Sequence, residues 1–455
     1  MRAWEVIREA ESASRQLSEA LRRGRSAVLL PWAYPTLLPD FQPPFDWRRT
    51  PGQRHPLHKS LLFRLLRSVP RWDPEELIPG DQIRSVLVFR YDAIGDYIVT
   101  TPLLRWLRQG LPQVRLTVLS STRNDALIAQ DPHVDEHLPI HPAHVVHPSW
   151  AKAVWRLRRD YDVVFALVFT HMSKAAILAR AIAPTAEYVV PLHWERVRLY
   201  GLVFHRQLEY QPWRQHWAQT LLQMGQHSIS PCATAEPSAG LYVPVSADAS
   251  QRIWEVLQQQ GVGTTPPAAP VVWARDSYPV EWEALPGNPY VVVNLSAYSK
   301  NRVWLPHHAL VVCRELLWRF PDVVLFVTAA PRDRAMAEEL VHQIRHPRCR
   351  AFAGSLSELI ALTAGAVWVL SPDTAVIHIA SAFGKPVVGL YGELIKVVEW
   401  YPFKAPFVAV LSPVMESPTF APPGAVVEAV ELLLQEVIPR GFVLPREMQP
   451  IPAGS

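Results

Sequence analysis

The sequence predicts an α/β protein built on parallel sheets, in which buried strands alternate with helices. Residues 86–89 are apolar and β-prone without interruption, as in a strand buried on both faces, and residues 98–107 have apolar positions at helical spacing. A second apolar strand at 366–370 leads into a helical stretch and then into a strand at 387–391. Strands separated by helices are joined by right-handed crossovers, which place them side by side in a parallel sheet.

The other elements follow this alternation along the chain. Residues 1–25 have a helical pattern rich in Arg and Glu, and residues 31–56, rich in proline and aromatic residues, predict an extended surface segment. Further strands are predicted at 115–119, 162–168, 188–190 and 323–328 and from residue 290, and further helices at 173–182, 249–260 and 426–437. Residues 261–270, rich in Gly and Pro, predict a linker or a surface loop.

Composition indicates a globular protein of two domains. The 455 residues are too many for one core, and a hydrophobic fraction of 49% with 19% charged residues excludes a disordered or collagen-like chain. The net charge of +4 is far below that of a nucleic-acid-binding surface, so no nucleic-acid partner is expected. Cys232, Cys313 and Cys349 are few and far apart, which favours buried thiols in a reducing compartment over disulfides or a zinc site.

An acid lies where the strand at 86–89 gives way to the following helix. Residues 91–95 are predicted to form a loop at the carboxyl end of that strand, where open α/β sheets bind their ligands, and Asp96 comes directly after it. An Asp in this place is either a helix cap that accepts backbone N–H groups or a catalytic group facing a cleft. The residues alone leave both uses open.

Two further junctions between a strand and a helix carry polar residues. Asp373 and Thr374 stand at a helix start, where N–H groups and the helix dipole attract anions such as phosphate, and His378 lies on the same helix face. Residues 291–306 form a strand that runs into a polar, cationic loop before a helix.

These junctions resemble the three motifs of the heptosyltransferases, glycosyltransferase family 9. The first, a short loop ending in Gly-Asp before a helix with Thr-Pro, is matched by residues 90–102. The middle motif, a loop with Ser or Thr, a basic residue and then Trp-Pro, is matched less closely by residues 294–306, with Arg302 as the basic residue and Leu305 inserted before the proline. The third, Asp-Thr-Gly and then His, is matched by residues 373–378. The resemblance covers about residues 83–436.

The chain departs from the family pattern at two places. Ala375 stands where the family has glycine, and its methyl group hinders the close approach of a diphosphate to the backbone. The acid that the family often carries in the loop after its next strand is absent, and Asp333 is the substitute that the sequence offers.

The resemblance implies the GT-B architecture, two Rossmann-like domains that face each other across a cleft. It divides the chain into an N-terminal extension at 1–82, an acceptor domain at 83–265 and a nucleotide-sugar donor domain at 266–455. It implies an inverting glycosyltransferase without metal or cofactor that moves a sugar, expected to be heptose from an ADP-heptose-type donor, to a lipopolysaccharide core or related bacterial surface glycan. The alternatives are a non-catalytic relative that binds nucleotide and a transferase for another sugar or a protein acceptor.

The resemblance also implies roles for the motif residues. Asp96 is predicted to be the base that deprotonates the attacking hydroxyl. Both the resemblance and its position after the loop at the carboxyl end of a strand support this role. A second set is predicted to bind the donor; it comprises Ser296, Lys300, Arg302, Asp373, Thr374, Ala375 and His378. Arg302 fits a diphosphate best because a guanidinium pairs with phosphate in a bidentate way. Helix capping for Asp373 and helix packing for His378 remain alternatives.

A basic amphipathic stretch precedes the first strand. Residues 57–72 place Lys59, Arg64, Arg67 and Arg71 among leucines, and a helix of this kind either lies on an anionic bilayer or packs on the first domain. No run of apolar residues is long enough to span a membrane, and the N-terminus lacks the apolar core of a signal peptide. We therefore expect a cytoplasmic enzyme. If the basic helix lies on a bilayer instead of packing on the first domain, the enzyme would contact the cytoplasmic face of the inner membrane.

Other kinds of site are not supported by the sequence. His141, His144 and His147 are separated by prolines and have no carboxylate at ligand spacing, so no metal site is predicted. No Gly-x-Gly-x-x-Gly follows a strand, and no Gly-x-Ser-x-Gly is present, which argues against a dinucleotide oxidoreductase and a serine hydrolase. Trp304 and Trp400 are predicted to be packing residues rather than base-stacking platforms.

Overall fold

A computed structural model describes most of the chain from residue 57 to residue 439. The described residues are 27–29, 57–142, 147–168, 172–191, 197–208, 215–237, 239–279, 284–299, 302–414 and 417–439. The segments predicted at 1–25 and 31–56, together with His144 and Lys300, lie outside them. Within these ranges no helix has the length and apolar character needed to cross a bilayer.

The strands fall into two large sheets and two short pairs. In chain order they are β1 Ala27–Leu29, β2 Ile78–Pro79, β3 Ser85–Phe89, β4 Arg115–Ser121, β5 Glu136–Ile140, β6 Val163–Ala166, β7 Glu187–Pro191, β8 Arg206–Leu208, β9 Ile229–Ser230, β10 Pro244–Val245, β11 Val272–Trp273, β12 Tyr290–Asn294, β13 Val324–Thr328, β14 Cys349–Phe352, β15 Val369–Pro372, β16 Val387–Tyr391 and β17 Phe407–Leu411. The short pairs are β2 with β9 and β10 with β11.

The helices that connect the strands are mostly short. In chain order they are α1 Leu57–Leu65, α2 Ile94–Ile98, α3 Thr101–Gly110, α4 Asp125–Ile128, α5 Pro148–Leu157, α6 Met172–Ile182, α7 Val197–Tyr200, α8 Trp217–Gln226, α9 Ala247–Gln259, α10 Pro306–Arg319, α11 Arg334–Ile344, α12 Leu356–Gly365, α13 Ala375–Ala382, α14 Leu394–Trp400 and α15 Pro423–Leu432. A π-helical turn, Leu433–Val437, continues α15.

Both large sheets repeat one topology. The first has the order β5-β4-β3-β6-β7-β8 and is parallel throughout. The second has the order β14-β13-β12-β15-β16-β17, also parallel. Numbered along the chain within each half, both orders read 3-2-1-4-5-6, the doubly wound arrangement in which ligands bind at the carboxyl ends of the strands beside the point of reversal. The predicted parallel α/β fold is confirmed.

A strand from the N-terminal extension joins the second sheet. β1 pairs antiparallel with the edge strand β17, with Ala27 opposite Leu411 and Leu29 opposite Ala409. The extension also contributes α1, which packs on the first half through Phe63: this ring is fully buried and stacks on Tyr200 with their centroids 5.1 Å apart. The two described parts of the extension therefore contact different halves of the molecule.

The two halves share part of their hydrophobic core. One cluster of buried residues contains Trp217 from the first half and Ile379, Phe383 and Phe403 from the second. At the same boundary the rings of Trp217 and Trp400 lie 6.3 Å apart, centroid to centroid. The halves are joined by buried apolar contact in addition to the chain that connects them.

Several boundaries differ from the sequence-based expectation. The helical stretch predicted at 98–107 corresponds to α3, Thr101–Gly110. A separate short helix, α2, precedes it at Ile94–Ile98, so Asp96 lies inside a helix and not before one. The basic helix ends at Leu65 instead of reaching residue 72, because the N–H and hydroxyl of Ser68 bond to the carbonyls of Leu202 and Val203 and lead the chain away. Residues 261–270 form no helix or strand, but they are held in place: Lys385 Nζ donates to the carbonyls of Thr265 and Pro266 at 2.7 and 2.9 Å.

Predictions for single residues have mixed outcomes. The three cysteines are free, as expected, and Cys313 and Cys349 are buried. Cys232 is exposed, which contradicts the prediction of a buried thiol, because it lies in a surface turn after β9. Trp304 is fully buried and its indole N–H donates to the carbonyl of Ala421, which confirms a packing role.

Candidate active site

Asp96 lies in the first turn of α2, which follows β3 after a short loop at the carboxyl end of the strand. Its Oδ2 accepts a hydrogen bond from the backbone N–H of Ala93 at 3.0 Å, which satisfies a donor at the helix start. The side chain is half-buried, and its Oδ1 accepts no hydrogen bond from the described residues. The sequence left helix capping and catalysis as alternatives for Asp96. In the structure the two roles are compatible, because Oδ2 caps the helix while Oδ1 is available to accept a proton.

The loop that carries Asp96 is held by side chains from neighbouring strands. Asn124 Nδ2, beyond the end of β4, donates to the carbonyl of Arg90 at 2.7 Å, and Ser121 Oγ donates to the carbonyl of Asp92 at 2.8 Å. Arg90 is fully buried, and its Nε donates to the carbonyl of Asp96 at 2.7 Å. These bonds fix the backbone on both sides of the loop, which preorganises the carboxylate at the edge of the sheet.

The start of α13 supplies the polar end of the second half. Thr374 caps the helix by accepting from the N–H of Val376 at 3.3 Å, and the same hydroxyl lies 3.2 Å from Asn294 Nδ2 and 3.1 Å from Ser371 Oγ. Ala375 is the first residue of the helix. The network anchors the helix start between β12 and β15, the two strands beside the point of reversal.

Arg302 and Ser296 occupy the loop after β12. Arg302 Nη1 lies 3.5 Å from Asp373 Oδ2 and 3.4 Å from the carbonyl of Asp373, and the arginine side chain keeps 45% of its surface exposed. Ser296 Oγ accepts from the N–H of Ala330 at 2.8 Å and so ties this loop to the end of β13. The structure thus brings Arg302, Asp373 and Thr374 together, with Arg302 free to reach a ligand in the cleft.

The first and third motifs meet across the two halves. A Cβ placed on Gly95 would lie 3.2 Å from His378 Cδ2 and 3.6 Å from the Cα of Ala375, so glycine permits this close approach of α2 to α13. His378 is 2% exposed, and burial lowers its pKa to about 4, which keeps the imidazole neutral. Its ring packs near those of His216 and Trp400, with centroids 6.2 and 5.9 Å away.

Charges from both halves act on Asp373. Burial raises the pKa of this carboxyl, whereas the cations Arg302 and Lys396 lower it and the carboxylate of Asp96 raises it further. Asp96 and Asp373 therefore lie within electrostatic range of each other across the cleft. Lys396, on α14, was missed by the sequence analysis because a lysine in a helix gives no signal until the fold brings it to Asp373.

Two more residues at this edge were also missed. Asp92, four residues before Asp96, forms an ion pair with Arg90 at 3.0 Å. Arg123, in the turn after β4, stacks on Tyr298 with 4.2 Å from its guanidinium carbon to the ring centroid, and its Nη2 lies 2.5 Å from the phenol oxygen. Because Tyr298 follows β12, this contact joins the carboxyl edges of the two sheets. The local signal for Asp92 was its place in the same loop as Asp96.

His141 and His147, two of the three histidines between residues 141 and 147, contact each other and the start of α5. His141 and His147 stack with ring centroids 4.6 Å apart, and His147 Nδ1 caps α5 by accepting from the N–H of Ser149. Across the described ranges, no three His, Cys, Asp or Glu side chains are grouped in a way that could hold a metal ion.

Comparison with known proteins identifies the family. The family model of glycosyltransferase family 9 (heptosyltransferase) matches residues 150–423, more than half of the chain; this range includes Arg302 and Asp373 but begins after Asp96. Lipopolysaccharide heptosyltransferase 3 of Escherichia coli is 24% identical over 313 residues, which are 66% of this chain and 80% of that protein.

Solved structures show the same fold at low identity. A glycosyltransferase family 9 protein of Veillonella parvula superposes with a TM-score of 0.60 at 17% identity, covering 79% of this chain and 98% of that one. The ADP-heptose lipopolysaccharide heptosyltransferase II of E. coli gives a TM-score of 0.52 at 16% identity, with 77% and 99% covered. The likeness confirms the GT-B fold implied by the motifs. The chain belongs to glycosyltransferase family 9, the heptosyltransferase family, and is a glycosyltransferase.

Proposed function

We propose that the protein transfers a heptose from an ADP-heptose-type donor to a lipopolysaccharide core or a related bacterial surface glycan. The names of the relatives support this substrate class, since they are a lipopolysaccharide heptosyltransferase and an ADP-heptose-dependent one. The observation that carries the proposal is the placement of Asp96: a half-buried carboxylate with one oxygen available, opposite the start of α13 and within electrostatic range of Asp373.

In the proposed reaction Asp96 takes the proton from the attacking hydroxyl of the acceptor. The hydroxyl oxygen forms a new bond to the anomeric carbon while the bond from that carbon to the donor phosphate breaks, which inverts the configuration in one step. The leaving nucleoside diphosphate gains negative charge, and Arg302, Lys396 and the N–H groups at the start of α13 are placed to stabilise it. With these cations in place, the scheme needs no metal ion.

We also propose that the two halves bind different substrates. We assign residues 83–265, which carry Asp96, to the acceptor and residues 266–455, which carry Arg302 and Asp373, to the donor. Ser296, Thr374, Ala375 and His378 belong to the donor side in this scheme, although the bonds of Ser296 and the burial of His378 also serve packing.

The replacement Asp96→Asn tests the role of the base. The amide keeps the shape of the side chain but cannot accept the proton, so we expect turnover to fall by about two to four orders of magnitude with nearly unchanged nucleotide affinity. Transfer from ADP-heptose would be followed by release of ADP, and affinity by calorimetry. Asp248→Asn, an exposed acid in the first turn of α9, is the matched control and should leave both quantities unchanged.

Two outcomes would contradict parts of the proposal. Turnover of the Asp96→Asn variant within threefold of the wild type would leave Asp96 as a helix cap only. A panel of nucleotide sugars tests the donor: transfer from a different sugar in preference to ADP-heptose would refute the donor assignment, and nucleotide binding without any transfer would refute the catalytic assignment.

We also propose that α1 contacts an anionic membrane surface. Leu57, Leu61 and Leu65 are spaced four residues apart on one helix face and are 89%, 60% and 75% exposed, while Phe63 on the opposite side anchors the helix to the protein. Arg64 and Arg67 are exposed beside this apolar face. An apolar stripe flanked by cations is complementary to anionic lipid headgroups, and a lipid-linked acceptor would be found there.

A further inference from the structure

Arg90 at the end of β3 is a fully buried cation next to the proposed base. A buried guanidinium is costly unless it is paired with a carboxylate and its other donors are used. Asp92 supplies the carboxylate, with Oδ2 at 3.0 Å from Arg90 Nη1. Further donors of the same guanidinium bind the carbonyls of Asp96 and Leu167. One buried group thus connects the carboxylate of Asp92 with the backbone of Asp96.

The geometry makes the position of Asp96 depend on this pair. The Arg90 Nε bond to the Asp96 carbonyl, at 2.7 Å, holds the first turn of α2, and the N–H of Ala93 holds the carboxylate itself. The backbone of Asp92 is fixed separately, since Ser121 Oγ donates to its carbonyl. Loss of the Asp92 charge would leave the guanidinium without its counter-ion. We expect Arg90 to shift in response, because a small displacement costs less free energy than a buried unpaired cation, and this shift would loosen its bond to Asp96.

We propose that Asp92 is a positioning residue for catalysis, which holds Asp96 in its productive place through the buried guanidinium of Arg90. The inference rests on the proposed role of Asp96 as the base. It assigns no contact with substrate to Asp92, and it predicts an effect on turnover rather than on donor binding.

The charges around Asp92 give the inference a pH signature. Burial raises the pKa of Asp92, and so does the charge of Asp96 on α2, while Arg90 and Arg123 oppose the shift; the resulting pKa is about 8. The phenol of Tyr91, whose pKa is raised by burial, stays neutral in this range. The ion pair with Arg90 therefore forms as the pH rises toward and through 8, and turnover should rise with it.

The test measures kcat, the KM for donor and the pH profile of the full-length Asp92→Asn variant. The amide keeps a hydrogen bond to Arg90 but removes the charge. We expect kcat to fall on the order of 10- to 100-fold at pH 8, since displacements of a reacting group by about 1 Å have effects of this size. The KM for donor should stay within about twofold, and the rise of turnover between about pH 7 and 9 should be lost. Asp125→Asn, which removes an acid at the start of α4 that binds Ser120 and His137, is the matched control.

A kcat within threefold of the wild type, together with an unchanged pH profile, would overturn the inference. If the Asn variant fails to fold, Asp92→Glu takes its place: it keeps the charge and displaces it, so the ionisation should persist while kcat falls, and an unchanged kcat would again overturn the inference. The result is separable from the main proposal. A loss of turnover in Asp96→Asn with none in Asp92→Asn refutes the positioning role alone, whereas full activity of Asp96→Asn refutes the base assignment.

Discussion

At the scale of single residues, the buried histidine at the contact of α2 with α13 links stability to pH. His378 lies among His216, Trp400 and the backbone of Gly95, with almost no access to water. Burial lowers the pKa of His378 to about 4 and also lowers the pKa of His216. Both rings are therefore neutral in the folded protein at pH values where they would be protonated in the unfolded chain.

We expect the free energy of unfolding to decrease as the pH falls from about 6.5 to about 4. In this window the unfolded state binds a proton at residue 378 and the folded state does not. The free energy of unfolding therefore decreases by about 3 kcal/mol between pH 6.5 and pH 4. The variant His378→Gln should have a flatter dependence in urea titrations at a series of pH values. His307→Gln, an exposed histidine on α10, serves as the control, and an equal slope in both variants would contradict the assignment.

The sequence revealed those candidate site residues whose proposed role depends on local structure. Asp96 and Thr374 were recognisable because each lies at a junction between a strand and a helix, where the chain itself creates unpaired N–H groups. Asp92 shares the loop of Asp96, but the burial of its partner Arg90 gave no signal in the sequence. Lys396 was not recognisable, since its proposed role comes from an acid on another element. Burial and contacts between distant segments decide such roles, and neither can be read from one segment.

At the scale of elements, α1 has two different faces. Phe63 is buried between the rings of Tyr200 and Phe204, and the leucines of the opposite face are exposed. Arg71, one of the four cations of the basic stretch at 57–72, forms an ion pair with Asp162 at 2.7 Å. Lys59 is only half-exposed, so the exposed cations beside the apolar face are Arg64 and Arg67.

The wild-type protein should sediment with vesicles of anionic phospholipid at low salt. Each cation near the surface contributes on the order of 1 kcal/mol, so reversal of both charges in Arg64→Glu with Arg67→Glu should abolish sedimentation, as should about 0.5 M salt. Lys152→Glu with Arg156→Glu, the same change on the exposed face of α5, should have no effect. Sedimentation that is absent in the wild type, or equal in both double variants, would mean that α1 serves only to pack on the protein.

Strand prediction succeeded where both faces of the strand are buried. β16 has the predicted bounds, and β3 differs by one residue, because central parallel strands are continuous apolar runs. β5 was missed: it is an edge strand that contains a glutamate, a histidine and a proline, so it has no such run. The early start of α2 was missed for a related reason, since Gly95 and Asp96 are poor helix formers and the bond from Ala93 to Asp96 stabilises the turn.

At the scale of the whole molecule, the two halves are physically continuous. Each repeats the 3-2-1-4-5-6 strand order, in which ligands typically bind at the carboxyl ends of the strands beside the point of reversal. The contacts of Gly95 with His378 and of Arg123 with Tyr298 bring these two edges together. The shared cluster of Trp217, Ile379 and Phe403 extends beneath them.

We expect thermal unfolding in the calorimeter to give a single cooperative transition. The halves cannot separate without exposing the shared apolar cluster, and that cost couples their unfolding. Trp217→Ala removes a large ring from the boundary and should separate the transition into two or broaden it, whereas Trp318→Ala, which removes an exposed ring on α10, should not. Two resolved transitions in the wild type would show that the halves unfold independently.

The pairing of β1 with β17 has a consequence for how copies of this chain meet one another. A parallel sheet ends in a strand whose outer N–H and C=O groups are unpaired, and an apolar strand such as Phe407–Leu411 would be a template for strands from other molecules. Residues 27–29 pair with residues 409–411 of this strand from within the same chain. A chain shortened to begin at residue 57 would retain both sheets and the cleft, but β17 would then be an aggregation-prone edge strand, unpaired on its outer side. We therefore expect β1 to reduce aggregation through this edge of the sheet.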